Sequence, residues 1–273
     1  MRLVALSLLV ACSGGGHPQA PAPLPPIARV DAATMPDAAL DAAPDAPPDA
    51  PPDAAPPTAA AMAHIDRTRF RMGSKSGRPD ERPVHAVTVA AFSIDLTEVT
   101  VAAYAECVAA NQCTIPDLQI HECDWNRRGL ENYPINCINW EQAAAYCAFA
   151  GKRLPTEEEW ELAARGTDGR TLPYGNGASG GEECEFKTAD PPLCPVASAP
   201  SGKSPYGVFD MTGNVDEWTA SAYCPYDRPA CGDARRATRG GASDFIGGTA
   251  TSRTGIAPHT IGEALGFRCA RSD

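Results

Sequence analysis

The 273-residue chain contains no CxxC pair and no HxxxH pair. These absences remove the closely spaced ligands that structural zinc uses. Its five histidines, His17, His64, His85, His121 and His259, are scattered. The apolar segment Leu3–Val10 is far short of the ~18 residues that a membrane-spanning helix needs. Basic residues are outnumbered, 23 Lys and Arg against 34 Asp and Glu, for a formal net charge of -11. That balance disfavours nucleic acid as a partner and is compatible with a cation such as calcium. What the chain does have is cysteine: eleven in all, an odd number, with ten of them between Cys107 and Cys269.

The eleventh, Cys12, stands apart beside the N-terminal apolar run. Met1-Arg2, the apolar segment and then Leu9-Val10-Ala11-Cys12 resemble a bacterial lipoprotein signal, in which the cysteine is acylated and becomes the mature N-terminus. Residues 1–12 are read as that signal, Cys12 as the lipidation site, and the membrane as a partner reached through lipid. Ser13 after the cysteine directs the expectation to the outer membrane. Export is also where disulfides form and persist.

Residues 13–63 are read as an Ala/Pro/Asp-rich disordered tether. Asp37, Asp41, Asp45, Asp49 and Asp53 recur every fourth residue among Ala and Pro, so this segment cannot build a core. It should form an extended, polyproline-biased spacer. Six Asp against Arg2 and Arg29 within residues 1–63 leave -7 of the formal charge on the remainder.

Residues 64–273 suffice for one disulfide-supported domain. The stretches 70–73 and 84–89 read as strands with a turn between them. Thr100 caps a helix over 101–110; Asn139 with Gln142, and Thr156 with Glu159, form capping boxes for two more, ended by Gly151 and Gly166. Beyond residue 170 the pattern is irregular, with turn signals at 174–177, 200–202 and 240–241. The composition implies an α+β fold with much loop.

Several motifs then occur in one order. They are Phe70-Arg71-Met72-Gly73, Ile94-Asp95-Leu96-Thr97-Glu98-Val99-Thr100 and Gly151-Lys152-Arg153-Leu154-Pro155-Thr156 with Glu157 to Glu161. Downstream follow Ser204-Pro205-Tyr206-Gly207, Thr212-Gly213-Asn214-Val215-Asp216-Glu217-Trp218, Arg239-Gly240-Gly241 and Gly266-Phe267-Arg268-Cys269. This series resembles the formylglycine-generating enzyme, or sulfatase-modifying factor, family over about residues 66–272. The resemblance implies a C-type-lectin-like, formylglycine-generating-enzyme-type α+β fold with little regular secondary structure and many disulfides.

It also implies a reaction, the copper- and oxygen-dependent oxidation of a sulfatase cysteine to formylglycine. That chemistry uses two thiolates, soft ligands suited to Cu(I). Their positions in this chain hold Phe245 and Ala250; Ala242 replaces the family serine and Asp216 the family tryptophan. The expectation is a degenerate catalytic site and no copper. Calcium is implied at Asp210, Gly213, Val215 and Glu217, by two side chains and two backbone carbonyls. A second family calcium site would fall within residues 181–190, where its asparagine is not evident.

The resemblance pairs Cys147 with Cys269. The remaining eight are read as neighbours: Cys107 with Cys113, Cys123 with Cys137, Cys184 with Cys194, and Cys224 with Cys231, although sequence alone leaves other connectivities open. Trp160, Ala163, Ala164 and Trp218 are expected inside the domain, and Glu157 to Glu161 as a capped structural helix. The functional expectation is a membrane-anchored, catalytically silent monomer that binds a protein or peptide and is steadied by calcium. The alternative is a divergent formylglycine-generating oxidoreductase acting on a sulfatase cysteine. Sugar binding is weaker, because the lectin Glu-Pro-Asn, Gln-Pro-Asp and Trp-Asn-Asp motifs are absent.

Overall fold

The computed structural model describes residues 61–117, 123–177, 184, 190–241 and 248–273, all within the unit Asp53–Asp273. Cys12, the Asp repeat and positions 242 and 245 lie outside the described residues.

Three helices carry the caps that their sequences announce. Thr100 accepts from the Ala103 amide at the start of α1 (Val101–Ala109). Reciprocal capping boxes open α2 (Trp140–Phe149) and α3 (Glu157–Arg165). Each box satisfies two of the backbone donors that a helix start leaves unpaired. Gly166 closes α3 with a positive φ of 65°.

Three small sheets surround these helices. β1 (Met62–Ile65), β4 (Phe92–Asp95) and β9 (Ala270–Ser272) form one, in the order β1-β4-β9. β1 begins inside the segment read as tether. β2 (Thr68–Met72) and β3 (His85–Val89) form an antiparallel pair, with Phe70 opposite Val87 and Met72 opposite His85. The third sheet runs β7-β6-β5-β8, from β5 (Asp216–Ala222), β6 (Arg236–Arg239), β7 (Arg253–Ile256) and β8 (Leu265–Gly266). Among the described residues, five strands therefore follow residue 170, where the sequence pattern reads as irregular. Asp216 to Thr219 on central β5 are all buried, so no polar-apolar alternation marks that strand.

Two cores form. One gathers Phe70, Met72, Phe92, Ile94, Trp160 and Met211; the other gathers Tyr104, Ile135, Tyr146, Trp218 and Phe267. In the second, Tyr104 stacks on Tyr146 at 5.7 Å between ring centroids, and Phe267 meets Tyr146 edge-on at 5.5 Å.

Five disulfides join Cys107–Cys113, Cys123–Cys137, Cys147–Cys269, Cys184–Cys194 and Cys224–Cys231. Four close loops of 6 to 14 residues, whereas Cys147–Cys269 spans 122 and fastens α2 to the segment before β9. Such a set fits export. No helix among the described residues is long and apolar enough to cross a membrane.

The loop stapled by Cys123–Cys137 carries a titration. Asp124 is fully buried, with Arg127 at 3.3 Å and Asn136 at 3.4 Å. Burial raises its carboxyl to about 6, Arg127 opposing and Asp190 adding to the rise. A carboxyl raised in the folded state contributes stability below its unfolded value, lost as pH rises through about 6. Between pH 4.5 and 7.5, the stability difference from Asp124→Asn should move in the variant's favour by about 1–2 kcal/mol, allowing for solvent screening. Urea titrations across that range check this; a difference independent of pH contradicts it.

Candidate functional site: a buried carboxylate nest and a hydroxyl-lined pocket

The turn before β5 brings Asp210, Gly213, Val215 and Glu217 into one short segment. Its backbone is tightly bent, with positive φ at Asp210, Gly213 and Asn214. Gly213 is required twice over: its φ is +80°, and a Cβ would press into the Cys184 carbonyl. The Asn214 amide donates to that same carbonyl at 2.8 Å, so Cys184 packs directly on the turn.

All three acidic side chains of the turn are buried: Asp210, Asp216 and Glu217. Asp216, at the family tryptophan position, lies beneath the surface opposite Leu265 of β8. Glu217 receives Arg268 through Nε at 2.7 Å and Nη2 at 2.7 Å, and Trp160 Nε1 at 2.8 Å. The Ala197 amide donates to Asp210 at 2.6 Å.

Glu98, just before α1, completes this nest. Asn214 Nδ2 donates to one of its oxygens at 3.0 Å, while Oε2 receives no donor. The Glu98 carboxyl also touches that of Asp210. Burial and then the Asp210 charge hold Glu98 well above the ordinary carboxylate range; burial also raises Asp210. Three buried acidic side chains thus surround one guanidinium, Arg268, with Glu98 and Asp210 in contact with each other.

A second charged array runs under the β2–β3 hairpin. Glu161 accepts from the Gly73 amide at 2.7 Å, from Arg165 at 3.0 Å and from Arg239 at 2.7 Å. Glu157 accepts from Arg253 at 2.5 Å and from Arg239 at 3.3 Å. Glu157 and Glu161 are therefore buried ion-pair partners, with Trp160, Ala163 and Ala164 in the adjoining core.

Beyond this array lies a pocket of about 310 Å³, whose lining includes Ser74, Arg78, Glu81, Thr249, Thr251 and Ser252. Buried Glu81 accepts from Thr251 Oγ1 at 2.6 Å. Thr249 Oγ1 then lies 3.1 Å from Thr251 Oγ1 and 3.2 Å from Ser252 Oγ. A carboxylate only accepts, so the hydroxyl protons in this chain run toward Glu81. The Thr249 amide donates to Ser252 Oγ at 2.9 Å and the Thr251 amide to Thr249 Oγ1 at 3.4 Å, so the chain of hydroxyls is held in place. Ala250, at the second family cysteine position, is fully buried in the core below; Arg239 donates to its carbonyl at 3.0 Å. Positions 242 and 245 of the degenerate site are outside the described residues.

A family model described as the sulfatase-modifying factor enzyme 1-like domain matches residues 47–273. The chain belongs to the sulfatase-modifying factor family. It is 33% identical over 271 residues to the inactive C-alpha-formylglycine-generating enzyme 2 of Mus musculus, covering 78% of this chain and 86% of that protein. It is 30% identical over 218 residues to the formylglycine-generating enzyme of Mycobacterium tuberculosis, covering 58% of this chain and 73% of that one. Among solved structures, PvdO from Pseudomonas aeruginosa aligns at a TM-score of 0.64 with 27% identity, over 78% of this chain and 94% of PvdO. The fold is the α+β, disulfide-supported fold of the formylglycine-generating enzymes.

Arg268 and Glu98 sit within motifs quoted from the sequence, yet their pairing is not readable there. The available signal was a charge set in an apolar frame: Arg268 between Phe267 and Cys269, Glu98 beside Val99, all buried. Such a residue asks for a buried partner. Nothing in the sequence says that the partners lie 51 and 116 residues away.

Proposed function

We propose that this chain is a catalytically silent sulfatase-modifying-factor domain, held to the outer membrane by lipid on Cys12 and acting as a calcium-steadied module that binds a protein or peptide. The observation carrying this reading is that all ten cysteines from Cys107 to Cys269 are in disulfides. Copper oxidation of a substrate cysteine needs two thiolates at the enzyme site, and a disulfide sulfur supplies neither. The donor set does not fit copper. The similarity to a vertebrate protein named as inactive supports the same reading.

Calcium is the ion this reading assigns to the turn. Asp210, Gly213, Val215 and Glu217 lie in one tightly bent segment, and the Asp210 and Glu217 side chains are buried. The side chains of Asp210 and Glu217 with the carbonyls of Gly213 and Val215 would hold the ion. Its contribution there is structural, a charge-balancing cross-link of the turn.

The pocket above Ala250 supports the binding role. Its hydroxyls and the Glu81 carboxylate suit the amide donors of an extended peptide.

The test is incubation of copper-treated protein with a cysteine-containing sulfatase peptide in oxygen, read by mass spectrometry. No aldehyde is expected. Aldehyde formation overturns the reading in favour of a divergent oxidase. Capture of peptides by the protein with and without calcium tests the binding role.

A further inference from the structure

We infer that the outer face and open edge of β2 form a docking strip for an extended acidic segment of a partner protein, gripped by Arg67, Arg69 and Arg71. This inference deepens the binding-module reading above by giving the chemistry of a partner, and it places that partner on a surface other than the hydroxyl-lined pocket.

Residues 67–75 hold Arg67, Arg69, Arg71 and Lys75 and no acidic residue, although residues 64–273 carry a formal -7. All three arginines are exposed, and none makes a hydrogen bond or ion pair among the described residues. Other arginines that reach the surface behave differently: Arg127, Arg153, Arg170 and Arg235 each hold a carboxylate at 2.5 to 2.7 Å. In an acidic domain, a row of unpaired guanidinium groups concentrates positive potential on one strand.

Strand alternation sets the direction of the row. Phe70 and Met72 are buried in the core beside Trp160, so Arg69 and Arg71 face outward, about 6.7 Å apart along the strand. Across the ladder they meet Thr88 and Ala86, both exposed, small and uncharged. Neither cross-strand neighbour offers a carboxylate. In an extended acidic peptide, alternate carboxylates stand at that same spacing. The planar arginine fork takes a carboxylate through two parallel hydrogen bonds.

The edge of β2 supplies the second half of the contact. β2 pairs with β3 in a two-stranded sheet, and among the described residues no other backbone group bonds to Thr68–Met72. The far edge therefore offers backbone donors and acceptors to a strand added alongside. A lipid surface has no backbone to match that edge, and Arg69, Arg71, Ala86 and Thr88 include no large apolar side chain to enter a bilayer. The same arginines oppose pairing of β2 with a second copy, because like charges would meet. An acidic strand turns that repulsion into attraction.

The experiment uses the full chain and a fluorescein-labelled peptide of about ten residues alternating Glu and Thr, followed by anisotropy. Wild type is expected to bind it, with affinity falling at least about fivefold between about 50 and 300 mM salt. Arg69→Ser with Arg71→Ser should weaken binding at least about tenfold, and Arg69→Lys with Arg71→Lys by less, since the charge stays and the fork is lost. Arg128→Ser with Arg228→Ser removes the same charge from other exposed positions and should leave affinity within about twofold. The same peptide with every backbone nitrogen methylated should bind at least about tenfold more weakly. Thermal unfolding checks that each variant is folded. A loss reproduced by the charge-matched variant, or equal binding of the methylated peptide, overturns the inference. Binding that survives Arg69→Ser with Arg71→Ser puts the peptide elsewhere on the domain; it overturns the inference while the binding-module reading stands. Binding to phosphatidylglycerol vesicles without binding to the peptide overturns it in favour of a lipid surface. No peptide binding by wild type, with self-association of the double serine variant, would show arginines that only guard the edge, and overturns it too.

Discussion

Arg268→Met is expected to cost about 3–5 kcal/mol, enough to leave little folded protein in a domain of ordinary stability. Arg268 is 0% exposed and donates twice to Glu217, once to the Asp95 carbonyl at 3.2 Å and once to the Phe209 carbonyl at 2.9 Å. Methionine fills much of its volume but supplies no donor. Glu217 would stay buried with only Trp160 as partner, beside Glu98 and Asp210, and no cation would remain among them. The cost comes from the stranded charge and not from lost packing. Adding Glu217→Gln to Arg268→Met should therefore recover a large part of it, about 2 kcal/mol. Urea denaturation of the two single variants and the double variant forms the required cycle. Additive losses would mean that the pair is not what holds this region.

The second large effect concerns chain topology. Replacing Cys147 and Cys269 together by alanine should cost about 5 kcal/mol, because the bridge closes 122 residues in the unfolded chain. Doing the same to Cys224 and Cys231, separated by 7, should cost about 2 kcal/mol by the same relation. Both members of the long bridge are fully buried, so the first variant also loses packing. The comparison is made by thermal and urea unfolding under non-reducing conditions. Equal losses would show that loop length is not the controlling quantity here.

These two expectations differ in how visible they are beforehand. Local features were legible. Helix starts are written in three or four adjacent residues, as at Thr156 and Glu159, because a capping box is satisfied within a single turn. The β2–β3 hairpin was legible because it is an adjacent pair with alternating burial. The strands after residue 170 were not. β5 is covered on both faces, and β8 joins it in parallel from a distant part of the chain. Neither arrangement leaves a period-two trace.

The carboxylate nest shows the same division. Asp210, Gly213, Val215 and Glu217 lie close in sequence, so a local motif could nominate them. Glu98 and Arg268 join them only through folding, and that changes the chemistry of the group. Two turn carboxylates become three buried ones with a single guanidinium.

By itself, the sequence determined the family, the acid balance, the helix caps and an even number of cysteines in the domain. Each is a property of composition or of residues within a few positions of one another. Tertiary structure alone decided that Glu157, Glu159 and Glu161 of α3 are paired with Arg153, Arg165, Arg239 and Arg253, and that Arg268 is committed to Glu217. It also decided that a Glu98 oxygen is left without a donor. The physical reason is range. Backbone capping is settled within one helical turn, whereas a buried charge must be met by whichever distant segment the fold brings against it.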